Sequence, residues 1–257
     1  TSKELGLTYG FNRAKLSWYT IDDNFYRSAR PTNITNDDVS LPYARPIREV
    51  EIRPNKDMQS GQVQNLREFN IAYYPSERGP YNYDTISAYS AGLNPDGTLR
   101  SPETRWGGIM RKLESTDFEA TNIEYIEFWL MDPFIENPYH SGGKLYFNLG
   151  EVSEDILRDG RKSFENGLPT SAEVVDVDST IWGRVPRLQA VVNAFSNDPE
   201  AREYQDVGYD GLSSNNEANY HQQFLQKIQN QVEQQTYNKI AQDPSADDFV
   251  YFRSLDY

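Results

Sequence analysis

A chain of 257 residues with a formal net charge of -14 is a poor match for nucleic acid, whose phosphates are held by clustered Lys and Arg, and for anionic membrane surfaces. It has no cysteine, which excludes disulfides, thiolate catalysis and zinc-thiolate clusters. No stretch approaches the roughly 20 apolar residues of a membrane helix, and the N-terminal TSKELGLTYG has no apolar signal core. With 18 Tyr and 12 Phe, the composition favours strands, where aromatic rings fit a half-buried pleated face.

In chain order, LGLTYGF (5–11) sets Leu5, Leu7, Tyr9 and Phe11 on one face, the period-2 pattern of a half-buried strand, and AKLSWYTI (14–21) follows as a second. The polar stretch 22–40 reads as loop. REVEIRP (48–54) and LREFNIAYYP (66–75) alternate again, and residues 75–103 carry the Pro, Gly, Asn and Asp of tight turns. WGGIMRKL (106–113), IEYIEFWLM (123–131) and KLYFNLGEV (144–152) return to strand. The second is apolar on both faces, as in a central strand covered on both sides.

Beyond Trp182 the pattern turns helical, with RLQAVVNAF (187–195) and a long stretch, 215–242, in which Tyr220, Phe224, Ile228 and Val232 recur every four residues. Pro244 stops it. The closing FVYFRSLDY (249–257) alternates as a strand that needs a sheet to join, and the chain is expected to be a portion of something longer. The fold class expected is mainly β: a jelly-roll or galactose-binding-like β-sandwich over 1–185, with a helical subregion and final strand over 186–257.

Three acidic stretches could carry chemistry. In LYFNLGEVSEDILRDGRKSFENG (145–167) a strand runs into charge; Ser153 suits a helix cap, Glu154 and Asp155 the first turn, and Gly160 with Arg158, Arg161 and Lys162 the end. Glu151 with Asp155 could form a glycosidase pair only across an open cleft. In STDFEATNIEY (115–125), Asp117 and Glu119 precede a strand, where sandwich modules hold structural calcium. DVGYDGLSSNNE (206–217) is sharper: Asp206 falls at position 1 of a calcium loop, Asp210 at 5, Gly211 at 6, Leu212 at 7 and Glu217 at 12. Gly208 at position 3 and Ser213 at position 8 depart from that pattern. Asp206, Asp210, the Leu212 carbonyl and Glu217 are the expected metal ligands, with Ca2+ as the only cofactor.

Other enzymatic motifs are thin. His140 and His221 are the only histidines and lie in unrelated contexts, which leaves a histidine metal site or acyl-transfer triad little support, and no phosphate-cradling glycine loop occurs. Trp106 in WGG and the tyrosines of ERGPYNYD (77–84) could be core or contact surface.

The stretches YPSERGPYNYD, NPDGTL, RWGGIMRKLESTDFEATNIEYIEFWLMDPF, GGKLYFNLGEVSEDILRDGRKSFENGLP and DVGYDGLS, in this order, resemble the SprA/Sov family. These are the outer-membrane translocons of the type IX secretion system of Bacteroidota, linked to gliding motility. The resemblance implies a non-enzymatic role in protein transport, as a soluble domain, periplasmic or extracellular, of an outer-membrane translocon. Its implied partners are a PorV-like barrel and exported cargo proteins, and no catalytic residue carries over. YIEFWLMDP and LYFNLGEVSED also resemble jelly-roll modules, so a carbohydrate-binding module with a glycan partner is the alternative expectation.

Overall fold

A computed structural model describes residues 2–56, 65–111, 113, 117–134, 137, 139–152, 155–160, 177–187, 199–200 and 208–248. The chain divides into two compact units, one built from 1–16, 73–110 and 149–257, the other from 17–72 and 111–148.

The mainly β sandwich is not what forms. Among the described residues the strands are β1 (Ala14–Tyr19), β2 (Asn70–Arg78), β3 (Val177–Ser179) and β4 (Arg184–Pro186), and they make two two-stranded sheets, β1 with β2 and β3 with β4. Two such ribbons cannot supply the two packed faces of a jelly roll. The carbohydrate-module alternative loses its framework with the sandwich. The pattern misleads because alternation specifies which faces a strand would bury, whereas a sheet also needs a partner backbone. Over 107–110, 123–131 and 144–149 the described chain runs without forming a strand.

Local chemistry overrides alternation elsewhere too. The stretch 5–11 lies mostly in a 3-10 segment, Ser2–Gly10, whose Gly6 has φ 56, a left-handed conformation that interrupts an extended run. Leu7 and Tyr9 still pack on the core, and Phe11 is buried in it. REVEIRP folds into the one-turn helix α2 (Glu49–Ile52), following α1 (Asn36–Ser40). The Glu51 carboxylate accepts the Arg48 amide at 3.0 Å, and buried Glu49 pairs with Arg53 at 3.2 Å and Lys56 at 2.6 Å. Those charge contacts suit a helical i to i+4 spacing and have no equivalent in an extended strand.

The long helical pattern is realised in three pieces, α3 (Ser214–Tyr220), α4 (Gln222–Ile228) and α5 (Gln234–Gln242). His221 leaves helical geometry between the first two, and the Glu233 amide bonds the Pro95 carbonyl at 2.8 Å ahead of the third. The apolar stripe survives these breaks: Phe224, Leu225, Ile228, Val232 and Ile240 are buried.

They join Tyr83, Leu93, Leu99, Leu157 and Trp182 in the core of the first unit. Tyr83 is its centre, stacked on His221 at 4.1 Å and edge-on to Phe224 at 5.6 Å. Both tyrosines of ERGPYNYD are therefore core. Beside them Asp84 and Arg105 form a fully buried ion pair at 2.7 Å. Arg105 also donates to the Phe11 carbonyl at 2.7 Å and to that of Arg100, tying three segments of the chain together.

The second unit is built differently. Among its described residues only Glu49 is buried, and every buried hydrophobic side chain described belongs to the first unit. Among the described residues no helix is long and apolar enough to cross a membrane.

Candidate metal centre

The turn 208–211 delivers the first acid. Gly211 has φ 65, and a Cβ there would strike the Arg184 carbonyl of β4, so the chain can reverse this tightly against the strand only with glycine. The Arg184 amide in turn donates to the Asp210 carbonyl at 2.6 Å. Asp210 Oδ1 accepts the Leu212 amide at 2.9 Å, an Asx turn that feeds the chain towards α3. Leu212 is buried. Glu217 lies one turn into α3, and only 1% of its surface is exposed, the same as Asp210.

The third acid comes from beyond α5. Asp243, Pro244, Ser245, Ala246 and Asp247 fold back so that Asp210, Glu217 and Asp247 bring carboxylate oxygens within 4.8 Å of one another. Ser245 is the clasp: its amide donates to Glu217 Oε2 at 2.9 Å and its hydroxyl to Asp210 Oδ2 at 2.7 Å. Having spent its one proton on Asp210, the Ser245 hydroxyl accepts that of Tyr83 at 2.9 Å. The Tyr81 amide holds the Ser245 carbonyl at 2.6 Å, while its hydroxyl accepts the Tyr209 amide at 2.6 Å. The Tyr81 hydroxyl stands against the Asp247 carboxyl and favours its charged form.

No Lys, Arg or His among the described residues lies within ion-pair distance of these three acids. Half-buried Arg78 brings a positive charge towards Glu217, but it donates to the carbonyls of Asn82, at 2.8 and 3.0 Å, and of Pro244, at 2.5 Å. Burial, then mutual repulsion, raises all three carboxyls: Glu217 to about 7, and Asp210 and Asp247 well above the usual carboxylate range. Three oxygens so placed can share protons, or hold a hard divalent cation whose charge replaces those protons. Asp210, Glu217 and Ser245 are buried, and Asp247 is half-buried.

The calcium-loop spacing thus brings together Asp210 and Glu217, with Leu212 between them. Asp206 lies outside the described residues. Asp247 was not legible as a member of the cluster, because α4 and α5 separate it from Glu217 and only the chain reversal at Pro244 and Ser245 returns it to the site.

The other expected acids do not assemble. Asp155 accepts the Asp159 and Gly160 amides at 3.1 and 3.0 Å, closing a loop, while Glu151 is exposed. Ser153, Glu154, Arg161 and Lys162 fall outside the described residues. Asp117 caps the turn that follows it through the Ala120 amide at 2.9 Å, and Glu119 points to solvent. His140 is exposed and stacked on Phe134 at 4.2 Å, whereas His221 is buried under Tyr83.

No protein-family profile matches the chain, and no curated protein matches it.

Proposed function

We propose that this chain is a non-enzymatic soluble portion of a type IX secretion translocon of the SprA/Sov kind, at the cell outer membrane, serving protein export and gliding motility as a contact surface. The resemblance of its long motifs supplies the identity. The observation that carries the role is the second unit, whose described residues bury no hydrophobic side chain while residues 123–131 and 145–147 expose most of theirs. Monomeric proteins rarely leave so much contiguous apolar surface in water. Exported cargo and a PorV-like barrel are the partners this reading names. Trp129, 78% exposed, is the residue to change. Trp129→Glu in the parent bacterium is expected to impair surface delivery of type IX cargo and gliding while the protein still accumulates. Normal export and gliding would sink this reading.

A second element of the proposal is a structural Ca2+ held by Asp210 and Glu217 with Asp247, favoured by three carboxylates brought within 4.8 Å of one another with no cation paired to them among the described residues. A cation bound only by the folded chain raises its stability, by about 2.7 kcal/mol at 100 times Kd. Calcium is therefore expected to raise Tm at pH 7.5 and a chelator to reverse it. An unchanged Tm leaves the cluster as a proton-sharing one.

A further inference from the structure

Residues 123–131 and 144–147 of the second unit share one physical state. Phe128 and Phe147 pack at 4.9 Å, so the two segments lie beside each other. Yet no backbone amide or carbonyl from 124 to 131, or from 143 to 147, has a hydrogen-bond partner among the described residues. Both faces of the first segment are exposed, with Tyr125 and Trp129 on one and Phe128 and Leu130 on the other. Aromatic side chains bring about 150–250 Å2 each, so the two segments together leave on the order of 1,000 Å2 of mainly apolar surface uncovered. A stable interface needs roughly 800 Å2 from each partner. The unmet need is therefore double: apolar cover on two faces, and main-chain donors and acceptors along an edge.

A lipid surface can give the first but not the second. Another polypeptide strand bonds the edge and sets apolar side chains beside the exposed rings on each face. Charge narrows the choice, because the patch carries Glu124, Glu127 and Asp132 against Lys144, on a chain of net charge -14. Pairing with a second copy sets like charges opposite one another, which weakens a ladder. Resting on the contact-surface reading above, we infer that residues 123–131 are a strand acceptor that completes a sheet with a β-strand of another polypeptide, apolar on the face beside Tyr125 and Trp129 and bearing Lys or Arg on the face beside Glu124.

The probe is a blocked peptide alternating Lys and Val, with its Glu/Val counterpart as control, added to the intact chain while amide hydrogen exchange is followed. The Lys/Val peptide is expected to slow exchange over 124–131 by at least about tenfold, a modest ladder protection, and the Glu/Val peptide to leave it unchanged. Trp129→Glu should abolish the effect without altering the near-ultraviolet signal of buried Trp182. Four results overturn the inference: no protection by either peptide, equal protection by both, protection that grows with protein concentration alone, and protection on neutral phosphatidylcholine vesicles without peptide. The second of these removes charge selection, the third assigns the surface to a second copy and the fourth to a bilayer. If Trp129→Glu impairs export but neither peptide protects, only the strand partner is wrong; if peptides protect but export is normal, only the translocon reading is.

Discussion

At the level of single residues, the acid cluster and His221 pull stability in opposite directions with pH. Burial lowers His221 to about 4, so it stays neutral in the fold while the unfolded chain takes up a proton below its ordinary value near 6.5. Its contribution is complete above that value and is lost as pH falls towards 4, by at most roughly 3 kcal/mol. The carboxyls behave in reverse: Glu217, raised to about 7, binds its proton more tightly when folded, and stability falls as pH rises through the interval between the ordinary and the raised value. His221→Phe, which keeps a ring against Tyr83, should flatten the acid limb of a Tm-against-pH curve; an unaltered limb would mean another group titrates there. Asp247→Asn should remove part of the repulsion, raising Tm in chelator at pH 8 by the equivalent of about 1 kcal/mol, and reduce any gain from calcium. A lower Tm in chelator would show that Asp247 is held by favourable contacts rather than repelled. Asp210 and Glu217 were legible from loop spacing, since position within a turn is a local property. Asp247, Ser245 and Tyr83 were not, because nothing local records that distant segments return to one place.

At the level of elements, the sequence reading succeeded where a short-range rule decides and failed where pairing decides. β1 overlaps its expected stretch, and β2 begins within one. The helical stripe at the C-terminal end was read correctly at Phe224, Ile228 and Val232, which are buried, but not at Tyr220, which is exposed, and wrongly in its continuity, for the helix breaks at His221, whose ring stacks on Tyr83. No helical period encodes such a contact. The sandwich failed for the complementary reason: 123–131 has strand chemistry on both faces but no neighbouring backbone to bond. The turn at Gly211 is the element on which β4 and α3 both depend. Gly211→Ala combines a left-handed backbone with a collision against the Arg184 carbonyl. It is expected to cost roughly 1–3 kcal/mol or more, seen as a lower urea midpoint and, if the metal reading holds, a smaller calcium effect. A substitution tolerated within about 0.5 kcal/mol, the ordinary surface range, would show that the turn relaxes without disturbing the cluster.

For the whole molecule, the decisive asymmetry is between a unit with a core and a unit without one. Cooperative unfolding draws on buried surface, and the described buried hydrophobic residues all lie in the first unit. The denaturant slope m reports how much surface unfolding exposes and grows with the size of the cooperative part, within about 1–3 kcal/mol/M in urea for small proteins. The free chain is therefore expected to unfold in one urea transition whose m matches the first unit alone and falls short of the value for 257 residues. Circular dichroism and the fluorescence of Trp182 should report that transition together, while Trp129, already largely in water, contributes little change. A partner that covers residues 123–131 adds surface to the native state, so m should increase when it binds, along with the midpoint. If the free chain instead gives an m appropriate to its full length, the second unit owes its stability to burial within the chain, and the need for an external strand disappears.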